Sequence, residues 1–233
     1  CKSSGNIFLN TYIKKIDSNQ EKLIVHDQNN REFEFDRILY TGSSIQFAEL
    51  LDNSFRENRR SSSFISYRNK LKQIRYLGNV CIVLELSKSL SDLYWMNVND
   101  PNFPFVGVIE HTNLIDSHNY GGKHIVYLTN YLSTDHPLYN KTHEELLEEY
   151  IPYLTKINPD FKRSWIENSY HHKVNAAQPI VTTNYSKIIP EHRTPIKGLY
   201  LANTTQVYPE DRGTNYSVRM GKKVAKFIID DLA

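Results

Sequence analysis

The stretch Leu199-Tyr200-Leu201-Ala202 is a short apolar strand that stops at Asn203, passes through a polar loop and meets Gly213-Thr214-Asn215 at the start of a final helix. A strand, a polar crevice and a helix N-terminus in that order limit what the chain can build more than any other feature. In α/β folds, ligands bind outside the carboxyl ends of strands. A helix N-terminus brings about half a positive charge and several unpaired N–H groups, which suit an anion or an electron-rich ring edge. Gly213 lets backbone approach a ligand closely. Thr214, Asn215 and Ser217 put hydroxyl and amide groups in the first turn. The plain alternative is a helix capped by Thr214 or Asn215 and nothing more.

Residues 6–41 read as β structure. Asn6 to Ile16 is an apolar-rich run closed by Asp17-Ser18-Asn19, and Lys22 to Asp27 alternates around Leu23, Ile24 and Val25. Gln28-Asn29-Asn30 is a turn, since Asn tolerates left-handed backbone. Arg31 to Asp36 alternates strictly, with Phe33 and Phe35 on one face. These runs predict a three-stranded antiparallel meander leading into Ile38-Leu39-Tyr40. A short helix over 44–51 follows, capped by Ser44, and then a polar loop over 56–63. Strands are predicted over 80–86, 105–111 and 124–131. Thr142 and Glu145 form a capping-box pattern for a helix over 142–157, with Pro152 set to kink or break it. An extended stretch over 161–173 and a last helix over 215–230 complete the chain. That helix is expected to turn Val218, Val224, Ala225, Ile228 and Ile229 inward. The fold class is therefore mixed α/β.

The net charge of +2 gives no electrostatic reason for a nucleic-acid or membrane partner. No apolar run approaches the ~20 residues that span a bilayer. The two cysteines, Cys1 and Cys81, make neither a disulfide framework nor a metal pattern. Cys81 lies in an apolar strand and reads as a buried thiol, which fits a reducing, cytoplasmic setting. His171-His172 would point to opposite faces of a strand, with no third ligand at metal-site spacing, so no metal is expected.

The segment "TPIKGLYLAN…DRGTNYSVRMGKKVA" resembles the C-terminal flavin-binding signature of the FAD-dependent amine oxidase superfamily, which includes protoporphyrinogen oxidases, phytoene desaturases and, more distantly, UDP-galactopyranose mutases. The pattern there is approximately T-P-x-x-G-L-Y-L-A-G-D, a loop, then G-A-x-x-S-G-x-x-A-A. Thr194, Pro195, Gly198, Leu199, Tyr200, Leu201 and Ala202 match it, as do Gly221 and Ala225. At the front, "IFLNTYIKKI" (7–16) and "DRILYTGS" (36–43) resemble the stretches that open and close the same family's meander.

The resemblance implies an FAD site divided over the chain. It places the adenine at the backbone of Ile13 and the adenosine side at Thr41 and Gly42. The ribityl-pyrophosphate region falls at Asn203 and Thr204, and the pyrimidine edge of the flavin at Ser217 and Val218, with Gly213, Thr214 and Asn215 beside them. The departures are Asn203 for a usual glycine, Thr204 for a usual acid, Tyr216 for a glycine and Met220 for a serine. No G-x-G-x-x-G occurs, although this family holds the pyrophosphate with that motif. Together with a strand-like start soon after Cys1, this leads us to expect a chain cut from a longer protein, holding FAD weakly or not at all.

The implied layout is a partial FAD-binding domain, built from residues 1–44 and 190–233 around the antiparallel β-meander. Residues 45–189 would form a substrate-binding domain on a mixed sheet with flanking helices. The implied activity is transfer of a hydride or electron pair from a small organic substrate to flavin. A non-redox sugar-nucleotide mutase is one alternative, for which Arg68, Arg75 and Arg163 could bind a diphosphate. A non-enzymatic binding module is the other. Tyr94, Trp95, His111, Tyr131, Trp165, His171, His172 and Tyr185 are candidates to face a substrate, although aromatics on strands more often belong to the core. No catalytic residue stands out.

Overall fold

The strict alternation of Arg31 to Asp36 and the turn at Gln28–Asn30 give the meander its form. The computed structural model describes residues 5–19 and 22–232; Cys1 lies outside them. Strands β1 (Ile13–Asn19), β2 (Lys22–Asp27) and β3 (Glu32–Phe35) form an antiparallel sheet in that order. Asp27, fully buried, accepts from the Asn29 and Arg31 amides at 2.8 and 2.9 Å and from Arg31 Nε at 2.6 Å. Burial pushes its carboxyl up, but the bonds from Arg31 and Asn29 outweigh this and hold it below the usual carboxylate range. The expected first strand begins late. Residues 6–12 stay outside the sheet because the Gln28 side chain takes their backbone, donating to Asn10 O at 2.8 Å and accepting from Tyr12 N at 2.7 Å.

The chain divides into two units, residues 1–75 with 181–233 and residues 76–180. Residues 45–75 therefore pack with the meander and not with the middle of the chain. Helix α1 (Ser44–Asn53) buries Phe47, Ala48, Leu50 and Leu51, and α2 (Ser62–Gln73) buries Phe64, Tyr67 and Leu71. Both apolar stripes join Ile16, Leu23, Val25, Leu199 and Leu201 in one core. The cap of α1 is Ser43, one residue earlier than expected, and it accepts from Gln46 N.

Strand β4 (Ile38–Tyr40) and strand β10 (Leu199–Leu201) pair in parallel, with Leu201 opposite Tyr40. Gly198, just before β10, has φ +82° and lies where a Cβ would meet Asp36 O at 3.1 Å, so only glycine fits without strain. Helix α4 (Thr214–Asp230) lies against β10 through Met220, Val224 and Ile228, which meet Tyr200 and Ala202. The inward face is thus the 220–224–228 stripe. Of the residues expected to face inward, Val224 is buried and Ile228 partly so, but Ala225 is exposed, and so are Val218 and Ile229, at 54% and 65%. A narrow two-stranded sheet offers the helix one ridge of contact and no more. At its far end, Asp231 accepts from Arg193 Nε at 2.8 Å and from the Tyr200 hydroxyl at 2.8 Å.

The second unit is a five-stranded sheet in the order β6-β7-β8-β5-β9. Its strands are β5 (Tyr76–Leu86), β6 (Trp95–Asn97), β7 (Gly107–Glu110), β8 (His124–Leu132) and β9 (Ile166–Pro179). Every pairing is antiparallel, which corrects the expected mixed sheet. Helix α3 (His143–Ile157) has the predicted Thr142–Glu145 capping box and continues through Pro152 without a break. Its Leu146, Tyr150 and Leu154 pack on Val80, Ile82, Leu84 and Leu86 of β5 and on Val126 and Leu128 of β8. Only that face of β5 is buried. Cys81, on the other face, is half-buried, and its thiol is pushed up to about 11 by burial.

Two histidines make the fold acid-sensitive. Burial, aided by nearby His143 and Lys173, holds His171 below the ordinary imidazole range; burial does the same to His192, partly offset by its bond to Leu201 O. Both take up a proton more readily in the unfolded chain, whose imidazoles titrate near ~6.5. Their contribution is therefore complete above that pH and is lost as pH falls through it toward the lower folded values. Thermal melts should decline from pH 7 to 5.5, and the double variant His171→Gln/His192→Gln should flatten the decline.

Candidate functional site

The carboxyl ends of β4 and β10 lie side by side, as their parallel pairing requires. Ala202 N donates to Tyr40 O at 3.0 Å, which carries the register one step past the strands. Beyond this point the chain leaves in two loops, Thr41-Gly42-Ser43 into α1 and Asn203 to Gln206 into the run toward α4. Thr41 and Thr204 are exposed, while Asn203 is buried, with 7% of its surface exposed. Asn203 Nδ2 donates to Gly42 O at 2.9 Å, so the two loops are tied together.

Helix α4 brings the third part. Met220 and Val224 rest on Ala202, which sets the first turn of α4 near the end of β10. Gly213 is the N-cap and carries no side-chain cap, so neither Thr214 nor Asn215 serves as the predicted cap. The Tyr216 and Ser217 amides donate to Gly213 O at 3.1 and 3.2 Å, and Thr214, Asn215 and Val218 are exposed. A Cβ on Gly213 would lie 2.6 Å from Asn215 Oδ1, so the missing side chain lets Asn215 fold back over the helix start. Arg212 Nε is buried without a hydrogen-bond partner among the described residues. An uncapped helix start, a glycine and an orphaned guanidinium N–H together fit a group rich in acceptors, such as a flavin edge or a pyrophosphate.

Ile13 opens edge strand β1 next to a bulge between Ile13 and Lys15. An edge strand leaves alternate backbone groups unpaired by the sheet, as a contact with a base edge requires. Ile13 also lines an apolar hollow of about 230 Å³ with Phe8, Thr11, Val25, Phe33 and Phe35. The structure thus ties the Thr41-Gly42 loop to the Asn203-Thr204 loop, packs α4 on the end of β10 through Met220 and Val224, and leaves Ile13 on the meander.

The substrate-facing candidates fall in different places. Tyr185 is buried in the first unit and donates to Thr205 O at 3.0 Å. In the second unit, Trp95 and Tyr131 are 55% and 47% exposed, and Tyr94 is exposed too. His111 Nε2 bonds the Tyr120 hydroxyl at 2.6 Å, and Trp165 packs on Phe161. His171 and His172 alternate in burial; His171 neighbours His143 instead, at 6.1 Å between rings. Among the described residues no group of three His, Cys, Asp or Glu could hold a metal, and no helix is long and apolar enough to cross a membrane. Sequence reasoning missed Arg212 and the partners of Asn203, although the Asn203-x-x-Gln206 spacing is itself a capping-box signal.

The sequence model of the family described as flavin containing amine oxidoreductase matches residues 2–225. No curated protein matches the chain in sequence. Among solved structures, a protein assigned as a protoporphyrinogen oxidase from Exiguobacterium sp. 255-15 is similar at a TM-score of 0.66 and 12% identity, over 94% of this chain and 47% of that one. A putrescine oxidase double mutant is similar at 0.66 and 13%, over 96% and 49%. Reduced UDP-galactopyranose mutase is less similar, at 0.55 and 14%, over 76% and 37%. The chain thus spans about half the length of the oxidase structures it matches. At these identities the likeness is one of fold.

Proposed function

The chain belongs to the flavin containing amine oxidoreductase family, and from that membership we propose that it is the C-terminal part of an FAD-dependent oxidoreductase acting on a small organic molecule. The observations that carry the proposal are the uncapped start of α4, a helix packed on Ala202 at the end of β10, and the tied loops that follow β4 and β10. When bound, FAD supplies the acceptor for a hydride or electron pair leaving the substrate.

The residues of this chain have separate tasks. The positive end of the α4 dipole favours negative charge on the pyrimidine edge, proposed to lie near Ser217 and Val218. Thr41 and Thr204 offer hydroxyls to the ribityl and adenosine region. Ile13 offers the backbone of an edge strand to the adenine. Arg212 Nε is a free donor for an anionic oxygen. Thr204 cannot accept as a carboxylate would, so this chain's share of the affinity rests on dipoles, neutral donors and the Arg212 guanidinium. The mutase reading has less support. Arg68 is paired with Asp52 and Arg163 with Glu148, and Arg68 and Arg75 lie outside the middle unit.

The pyrophosphate-binding half is proposed to come from sequence preceding this chain in a longer polypeptide. The isolated chain should therefore be colourless, and the longer polypeptide yellow with one flavin per chain. Absorbance near 450 nm and flavin released on denaturation measure both. A longer polypeptide that stays colourless after reconstitution with FAD overturns the function. A stoichiometric flavin in the isolated chain overturns the division of the site.

A further inference from the structure

The resemblance makes Asn203 a cofactor contact, but its side chain is already spent inside the protein. Its Oδ1 accepts from Thr205 N at 3.1 Å, and its Nδ2 donates to Gly42 O at 2.9 Å and to Ser44 Oγ at 3.2 Å. Its own N–H donates to Gln206 Oε1 at 3.0 Å, and Gln206 Nε2 donates to Pro190 O at 3.1 Å. The hydroxyls of Ser44 and Thr205, both fully buried, lie 3.1 Å apart. The residues that bond here come from the loop after β4, the first turn of α1 and the loop after β10, and the side chain common to them is Asn203. We propose that Asn203 is a positioning residue, which locks the loop carrying Thr41 and Gly42 onto the loop carrying Thr204 and so preforms this chain's part of the cofactor site. The inference rests on the flavin reading above for what the site binds.

The chemistry of the side chain explains the choice. A carboxamide offers an acceptor and two donors at once. Aspartate at this position keeps the bond from Thr205 N but turns an acceptor toward Gly42 O. Alanine or glycine leaves both Gly42 O and Thr205 N unsatisfied in a buried place. Without the lock the two loops sample many arrangements, and ordering them becomes a cost of binding. The glycine usual in the family at this position cannot make such a lock, so the lock is a feature of this chain and not of the fold.

The test compares wild type, Asn203→Asp and Asn203→Ala in the longer polypeptide. Two readouts are taken well below the melting temperature: FAD affinity by fluorescence quenching, and amide hydrogen exchange of the flavin-free protein. The expected result is FAD bound about 10- to 100-fold more weakly by both variants, from the loss of one or two hydrogen bonds and the reordering of a loop. Exchange should quicken at residues 41–44 and 203–206 and stay unchanged in β2 and β3. Variants that bind FAD within about threefold of wild type overturn the inference, and so does exchange that quickens equally in the meander, since that reports general destabilisation. If wild type itself binds no FAD, the functional reading fails. The exchange pattern then still decides whether Asn203 locks the loops.

Discussion

Ser217→Trp in the longer polypeptide is expected to abolish FAD binding while leaving the fold intact. Ser217 sits in the first turn of α4, half-buried, and its hydroxyl makes only a 3.4 Å contact to Gly213 O. Neighbouring Val218 is exposed, so an indole can enter the space in front of the helix without displacing core. There it would occupy the volume proposed for the flavin's pyrimidine edge. A steric block of this kind should weaken binding by more than 100-fold, or roughly 3 kcal/mol. Ser217→Ala is the matched control and should bind within a few-fold of wild type, because the hydroxyl itself does little. Equilibrium titration with FAD measures the affinities, and circular dichroism checks the helix. Wild-type affinity in the tryptophan variant would mean that α4 does not face the ring.

The reach of the sequence can be judged element by element. The meander was legible because Lys22 to Asp27 and Arg31 to Asp36 alternate, and a two-residue period has one structural meaning. The capping box of α3 was legible because Thr142 and Glu145 stand at the spacing that satisfies two amides. Helix α2 was not. Its buried stripe is only Phe64, Tyr67 and Leu71, and the Arg- and Ser-rich run before it reads as loop. The apolar face of α4 was placed only in part, with Val224 and Ile228 inward but Val218, Ala225 and Ile229 outward, because periodicity counts apolar residues but cannot say which the neighbouring strand will cover. Within the site, the strand-loop-helix order was visible, as was the polar character of 213–217. The lock around Asn203 was not, because its partners Gly42 and Ser44 lie some 160 residues away and no local rule links them. The same holds for Tyr185, whose hydroxyl supports Thr205.

Tyr150 is where a single side chain should matter most to the second unit. It is fully buried on α3, packs edge-on against Phe105 with ring centroids 5.1 Å apart, and faces the β5–β8 core. Tyr150→Ala should cost about 3–5 kcal/mol, the range for deleting a buried aromatic ring and leaving a cavity. Tyr150→Phe should behave in the opposite way. The Tyr150 hydroxyl is buried without a hydrogen-bond partner among the described residues, and burial pushes its pKa up. Removing that oxygen keeps the packing and relieves an unpaired dipole, so the variant should match or exceed wild-type stability by up to about 1 kcal/mol. Urea titration of the three proteins measures this. Residues 76–180 form a unit of their own, so the alanine variant should shift the transition reported by Trp95 and Trp165 more than the one reported by amide exchange in the meander. Equal shifts would mean that the two units unfold together. A phenylalanine variant less stable than wild type would mean that the hydroxyl has a partner, and the proposed source of its cost would then be wrong.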